Sequence, residues 1–206
     1  DFALQVYGCH KGEIRLEVLK QDFQKYYFES ERKHLEAIQH VLDLGGGMGQ
    51  FSRWLLQQNS TFKVNLCDIS ATMLRLAEQM SIEEGLVSRM KFCQVAAQEA
   101  RGEYPLVLCH ALLEWLQNPI LALKESSNRV QDGGHLSVLF YNRPALVWRN
   151  LTSGRLAKIV EGKQTGFGHS FTPYHSFTAQ QIRDTLSPLG FEVRVEESLP
   201  LAPKGD

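Results

Sequence analysis

Short apolar runs recur along the chain, and most are closed by glycine or by polar residues. Residues 38–44 (IQHVLDL) read as a buried strand that ends at glycines. Residues 62–68 (FKVNLCD), 90–95 (MKFCQV), 104–110 (YPLVLCH), 135–141 (HLSVLFY) and 191–195 (FEVRV) read as further strands. Between them the apolar positions change to helical spacing. Residues 50–58 form one such stretch and residues 70–80 another, with Ser70 as N-cap and Met73, Leu74, Leu76 and Ala77 on one face. The stretch 119–130 opens with Asn118 as cap and with Pro119 in the first turn, where a missing N–H costs nothing. Thr178 and Gln181 stand at capping-box spacing before the last strand. Strand alternating with helix predicts an α/β fold, a three-layer arrangement with a mostly parallel sheet and helices on both faces. Ligands of such sheets sit beyond the carboxyl ends of the strands.

Two stretches fall outside the alternation and divide a single domain spanning 1–206. Residues 1–35 read as a helical preamble, with Lys11-Gly12 ahead of a pattern that starts at Glu13, and residues 36–141 form the core. Residues 142–177 form an insert rich in Arg, Lys, His, Gly and aromatics, polar enough for a lid or a substrate platform. Residues 178–206 supply the last helix and strand. The chain starts at Asp1 rather than Met, so a natural start is expected upstream, and the proline-rich tail 199–206 is too short for the final strand such a sheet normally carries.

Composition narrows the class. The chain has 206 residues, 43% hydrophobic and 22% charged, which suffices for one packed core and argues against a disordered or fibrous chain. No run approaches the roughly 20 apolar residues that span a bilayer. Lys and Arg number 22 against 23 Asp and Glu, for a net charge of −1, so a polynucleotide would have to be held by a local patch rather than a global field. Cys9, Cys67, Cys93 and Cys109 form no C-x-x-C pair, and no stretch reads as a secretory signal, which predicts reduced thiols in a cytoplasmic protein.

The chemistry concentrates where the first strand meets its glycines: Val41-Leu42-Asp43-Leu44-Gly45-Gly46-Gly47-Met48-Gly49. Glycine permits a sharp turn and lets a ligand lie against the main chain. Asp68 ends the next strand, where an acid grips ribose hydroxyls. The dinucleotide spacing G-x-G-x-x-G fails, because its third glycine position, counted from Gly45, holds Gln50. No P-loop is present. The pattern instead fits a nucleoside ligand with no pyrophosphate to seat, namely S-adenosylmethionine (SAM). Ala96-Ala97-Gln98 after the third strand offers small residues and a polar edge for adenine, and His110 closes the fourth strand beside the same crevice.

These residues carry a resemblance. The core resembles the class I SAM-dependent methyltransferases and, more narrowly, the bacterial tRNA 5-carboxymethoxyuridine methyltransferase family. The narrower likeness rests on Tyr7-Gly8 with Lys11-Gly12-Glu13-Ile14-Arg15, on Leu66 to Met73, on His110-Ala111-Leu112-Leu113-Glu114-Trp115, and on Leu139-Phe140-Tyr141-Asn142. It covers most of residues 5–150. The resemblance implies a Rossmann-like fold, SAM as cofactor, and a cofactor site made of Arg15, Gly45, Gly46, Asp68, Ala97, Gln98 and His110. Arg15 offers a planar fork suited to the methionine carboxylate. The implied reaction esterifies the carboxylate of a modified wobble uridine, with a tRNA anticodon loop as partner rather than DNA or a membrane. A carboxylate is already ionised at neutral pH and needs no general base. It needs a clamp, for which Tyr141, Asn142 and Arg143 are the first candidates, then Tyr174 and His175. Arg149, Arg155, Lys158 and Lys163, interleaved with Trp148 and Phe167, suit phosphates and a splayed base. Two alternatives share this core: a small-molecule methyltransferase and a non-catalytic SAM-binding module.

Overall fold

The computed structural model describes residues 10–30, 38–160 and 173–193. Five strands build one sheet: β1 (His40–Leu44), β2 (Lys63–Asp68), β3 (Met90–Gln94), β4 (Tyr104–His110) and β5 (Val130–Leu139). All neighbours pair in parallel in the order β3-β2-β1-β4-β5. The order reverses between β1 and β4, and the carboxyl ends of strands at such a reversal are where α/β sheets bind ligands in a crevice.

Both faces of the sheet are covered, so its strands are apolar on both sides. Val41, Val64, Leu66, Leu106 and Leu108 point into one core, and Leu42, Leu44, Cys67 and Val107 into another. The first core is closed by α1 (His10–Phe23), α2 (Gln50–Gln58) and α3 (Ala71–Glu83) through Phe23, Phe51, Leu55, Leu56, Leu74 and Ala77. On the other side α4 (Pro119–Ser127) and α7 (Ala179–Leu186) pack through Ala122, Leu123, Ile182 and Leu186. The result is the expected three-layer, Rossmann-like α/β fold.

Several local features differ from the sequence expectation. The preamble helix begins at His10 and runs through Lys11-Gly12, then widens into a π-helical stretch at Gln24–Ser30. The wider turn brings Phe23, Tyr27 and Phe28 onto one side. Phe23 meets Phe51, Tyr27 meets His135, and Phe28 meets Trp54 and Phe62. Asn118 stands at the N-cap of α4 without a side-chain cap bond, whereas Ser70 and Thr178 cap α3 and α7 as expected. Strand β5 starts at Val130 rather than 135, because Val130 pairs with Tyr104 before an irregularity brings His135 opposite Leu106. Residues 131–134 therefore form a bulge inside the strand, with Gly133 at φ 72°. The insert is not irregular at its start: it forms α5 (Arg143–Thr152) and α6 (Leu156–Val160). Of the expected sixth strand, residues 191–193 join no ladder, and 194–195 lie outside the described residues.

Candidate active site

The glycine loop is a rigid bracket between β1 and β2. Gly45 N–H and Gly46 N–H donate to the Cys67 carbonyl at 2.8 and 3.3 Å, and Gly49 N–H donates to the Gly46 carbonyl at 2.8 Å. Gly47 N–H donates to Asp68 Oδ2 at 3.0 Å. The buried Arg53 ties the Met48 carbonyl to Glu84 at the end of α3. Three successive loop amides are thus committed to the end of β2. A pyrophosphate cradle would need such amides aimed at the ligand. This loop supplies shape instead, as a nucleoside ligand without pyrophosphate requires.

The shape is enforced from beneath. Asp43 is 3% exposed, and its Oδ2 accepts from Ser52 Oγ at 2.6 Å. Burial pushes its carboxyl up to about 6, against the lowering effect of the Ser52 bond. A Cβ on Gly46 would lie 2.6 Å from that same Oδ2, and one on Gly45 would lie 2.7 Å from Leu112 Cδ1. Neither position tolerates a side chain. Gly45 also sits at φ 68°, a left-handed conformation that glycine adopts without penalty.

Asp68 is held by both oxygens. Oδ2 faces the Gly47 amide, and Oδ1 accepts from Ser70 N–H at 2.8 Å at the start of α3. Each oxygen keeps acceptor capacity, which suits a diol. Ile69 follows and is 72% exposed, a large aliphatic side chain standing beside the acid at the crevice lip. Sequence reasoning missed it, since an isoleucine after a strand reads as core. Its signal was its address between Asp68 and the Ser70 cap.

On the third strand's side, Ala97 and Gln98 share the single turn Ala97–Glu99. Ala97 is buried with Leu42 and Leu44, and Gln98 is exposed. Gln98 borders a shallow open depression with Val95, Glu99, Ala100, Arg101 and Arg129. At the end of β4, His110 Nε2 shares a hydrogen bond of 2.8 Å with Ser137 Oγ on β5. Its Nδ1 is sealed from water without a partner, and Phe51 and Phe23 meet the ring edge-on at 5.0 and 6.2 Å. Burial pushes the His110 pKa down to about 3, so the imidazole is neutral at pH 7. Ala111, next in sequence, takes φ 51°, and the turn carries the chain over Gly45.

The clamp candidates meet a strap formed by residues 173–178. Asn142 pairs with Phe177 in a parallel bridge, Phe177 N–H donates to the Tyr141 carbonyl at 2.9 Å, and Arg143 N–H donates to the Phe177 carbonyl at 2.8 Å. Arg143 Nη2 donates to the Ser176 carbonyl at 2.7 Å. The strap also receives Glu114: its carbonyl accepts from Tyr174 N–H and His175 N–H at 2.9 and 3.2 Å. Tyr141, Arg143, Tyr174 and His175 are therefore brought together. Asn142 is committed elsewhere, its Oδ1 capping Ala145 N–H at 3.2 Å to start α5. Trp148 on α5 is 68% exposed, and Arg155 is exposed in the turn after it. Lys163 and Phe167 lie outside the described residues. Arg15 lies half-buried on α1, and its charge acts on the Glu114 carboxyl.

Among the described residues no group of His, Cys, Asp or Glu could hold a metal, and no helix is long and apolar enough to cross a membrane. Comparison with known proteins bears on the class of protein rather than on single residues. A methyltransferase domain family matches residues 42–136. The chain is 31% identical to the tRNA 5-carboxymethoxyuridine methyltransferase of Escherichia coli K12 over 93% of this chain and 73% of the relative. It is also 31% identical to the ubiquinone/menaquinone biosynthesis C-methyltransferase of Legionella pneumophila strain Philadelphia 1, over 55% of this chain and 47% of that protein. The plantazolicin methyltransferase solved with S-adenosylhomocysteine shares the fold, with a TM-score of 0.58, 16% identity, and coverage of 85% of this chain and 62% of that one. The chain belongs to the class I SAM-dependent methyltransferase family. Within that class, the relative named tRNA 5-carboxymethoxyuridine methyltransferase is matched over 93% of this chain and 73% of its own length.

Proposed function

We propose that this protein binds SAM across the crevice between β1 and β4 and methylates the carboxylate of 5-carboxymethoxyuridine at the tRNA wobble position, giving the methyl ester. The observation that carries the cofactor reading is the commitment of the Gly45, Gly46 and Gly47 amides to the end of β2. It leaves a shaped floor, with Asp68 locked at its lip by 3.0 and 2.8 Å bonds. The likeness to the E. coli tRNA enzyme over 93% of the chain supports the substrate.

The residues present fit SAM. Gly45 and Gly46 let the loop pack directly on Leu112 and Asp43, so that its backbone forms the floor against which the ligand lies. Asp68 accepts from the ribose hydroxyls, and Ile69 covers one face of the purine. Ala97 keeps the adenine edge open, Gln98 offers it a polar group, and Arg15 takes the methionine carboxylate. The unpartnered His110 Nδ1 adds a polar atom at the crevice. When bound, SAM supplies a methyl group already activated by its sulfonium. The protein's task is then to hold and orient the acceptor and exclude water. His110, with a pKa near 3, is too weak a base for an unionised acceptor at neutral pH, which favours one already ionised. Arg143 spends one donor on Ser176 and keeps others for a carboxylate, with Tyr141 beside it. Trp148 and Arg155 hold the RNA in the cytoplasm, where Cys67, Cys93 and Cys109 stay as free thiols.

Incubation with methyl-labelled SAM and tRNA from cells lacking the gene tests the proposal. Label should enter tRNA and leave as methanol under mild alkali, as an ester does. Alkali-stable label, or label only on free small acids, overturns the substrate. Asp68→Ala should weaken SAM binding by about tenfold or more in calorimetry.

A further inference from the structure

A neutral imidazole has one donor and one acceptor nitrogen, and the bond made to one of them decides what the other can do. His110 at the end of β4 has Ser137 Oγ, on the neighbouring strand β5, 2.8 Å from its Nε2. Phe51 and Phe23 close edge-on against the ring at 5.0 and 6.2 Å, which resists a flip that would exchange the two nitrogens. Phe51 lies in the first turn of α2, directly after the glycine loop, so the ring is held beside that bracket. Nδ1 is sealed from water and meets no donor or acceptor among the described residues. A buried nitrogen in that condition is costly unless a ligand supplies its partner. Because the ring is neutral at pH 7, the surroundings must choose its tautomer. The imidazole is the partner of the Ser137 hydroxyl among the described residues. With the ring proton on Nε2, the hydroxyl hydrogen and the Nδ1 lone pair are both left over. With the hydroxyl donating to Nε2, only Nδ1–H is left over.

We propose that Ser137 is the positioning residue for His110: its Oγ–H donates to Nε2, the ring proton is thereby held on Nδ1, and Nδ1–H donates to an oxygen of bound SAM. The inference rests on the reading of His110 as a cofactor contact. SAM carries acceptor oxygens on its carboxylate and its ribose. A bare Nδ1 would set a lone pair against them, so only one tautomer is competent. Ser137 selects that tautomer before the ligand arrives and touches no reacting atom.

Two measurements test this. Two-bond 1H–15N spectra of histidine-labelled protein without ligand report which ring nitrogen carries the proton, and calorimetry reports SAM affinity. The wild type should show His110 protonated on Nδ1. Ser137→Ala should move the proton to Nε2 and weaken SAM by about fivefold, since apparent affinity falls with the fraction in the competent tautomer. Ser137→Thr keeps the hydroxyl and should return both readings to wild type. A wild-type proton on Nε2 overturns the proposal, and that spectrum decides the tautomer even if a variant does not fold. Weakened binding in Ser137→Ala with the proton still on Nδ1 also overturns it, since that would mark a general packing role. Unchanged affinity once the proton has moved does the same. His110→Gln sets an amide near the Nε2 position and removes Nδ1. Wild-type SAM affinity in that variant takes His110 out of the cofactor site, and this inference with it. A loss there with Ser137→Ala silent removes only this inference. No SAM binding by the wild type removes the proposed function itself.

Discussion

A methyl group at Gly46 would meet Asp43 Oδ2 at 2.6 Å, and Asp43 cannot retreat because Ser52 holds that same oxygen. Gly46→Ala should therefore destabilise the fold by about 1–3 kcal/mol in urea titration and weaken SAM by about tenfold or more in calorimetry. His110 makes a second prediction at this scale. In the folded chain it stays neutral down to about pH 3, whereas its ordinary value is 6.5. Below about pH 6.5 the unfolded chain binds the extra proton, so this residue's contribution falls as pH drops, by up to about 1.4 kcal/mol per unit. Asp43, raised to about 6, and Glu114, raised to about 7, act with the opposite sign, since the folded chain takes up their protons first. The wild type should accordingly show a shallow pH profile. Relative to it, His110→Gln should gain up to about 2 kcal/mol between pH 7 and pH 5, read from denaturation at both values. An unchanged difference between the two proteins would mean that His110 titrates alike in the folded and unfolded chains.

The strap that ties residues 114, 141–143 and 174–177 together makes Arg143 both a brace and a clamp candidate. Arg143→Ala should lower turnover on tRNA by about tenfold or more and leave SAM affinity within about twofold, measured on one preparation. A matching loss of SAM affinity would assign Arg143 to the cofactor side. This level also shows what the sequence could convey. Strand, glycine loop and acid are contiguous, so β1, β2, Gly45, Gly46 and Asp68 are readable locally. The sheet strands read as continuous apolar runs because both faces are buried, and the parallel α/β order followed from that. Helix α5 was readable too, since Asn142 ahead of Pro144 is a helix-start pair, but the polarity of the insert masked it. Glu114 was not readable in this way. A glutamate between Leu113 and Trp115 looks solvated, and its burial depends on amides at 174 and 175, far away in the chain. The π-helical turn at Gln24–Ser30 likewise follows from where three aromatics must land, which no local spacing encodes.

With 22 basic and 23 acidic side chains, the molecule as a whole offers a polyanion no net attraction. If tRNA is the substrate, its affinity must come from the surface that carries Trp148 and Arg155, beyond the ligand end of β5. Two kinds of interaction then separate by salt. Pairing with phosphates weakens steeply as salt rises, whereas base stacking on an exposed indole barely responds. Arg155→Glu should therefore weaken tRNA binding at about 50 mM salt and flatten the logarithmic salt slope by about 0.7 or more for each phosphate that is no longer neutralised. Trp148→Ala should weaken binding by about 1–3 kcal/mol with the slope unchanged. Filter binding from about 50 to 200 mM salt reads both quantities. SAM affinity should be indifferent to either change, because the proposal puts the cofactor at the carboxyl ends of β1, β2 and β4 and on α1, and the polymer on α5 and the turn that follows it. If both variants bind tRNA as the wild type does, RNA recognition does not run through α5. A free acid, small enough to reach the clamp at Tyr141 and Arg143 without touching that surface, then becomes the better substrate.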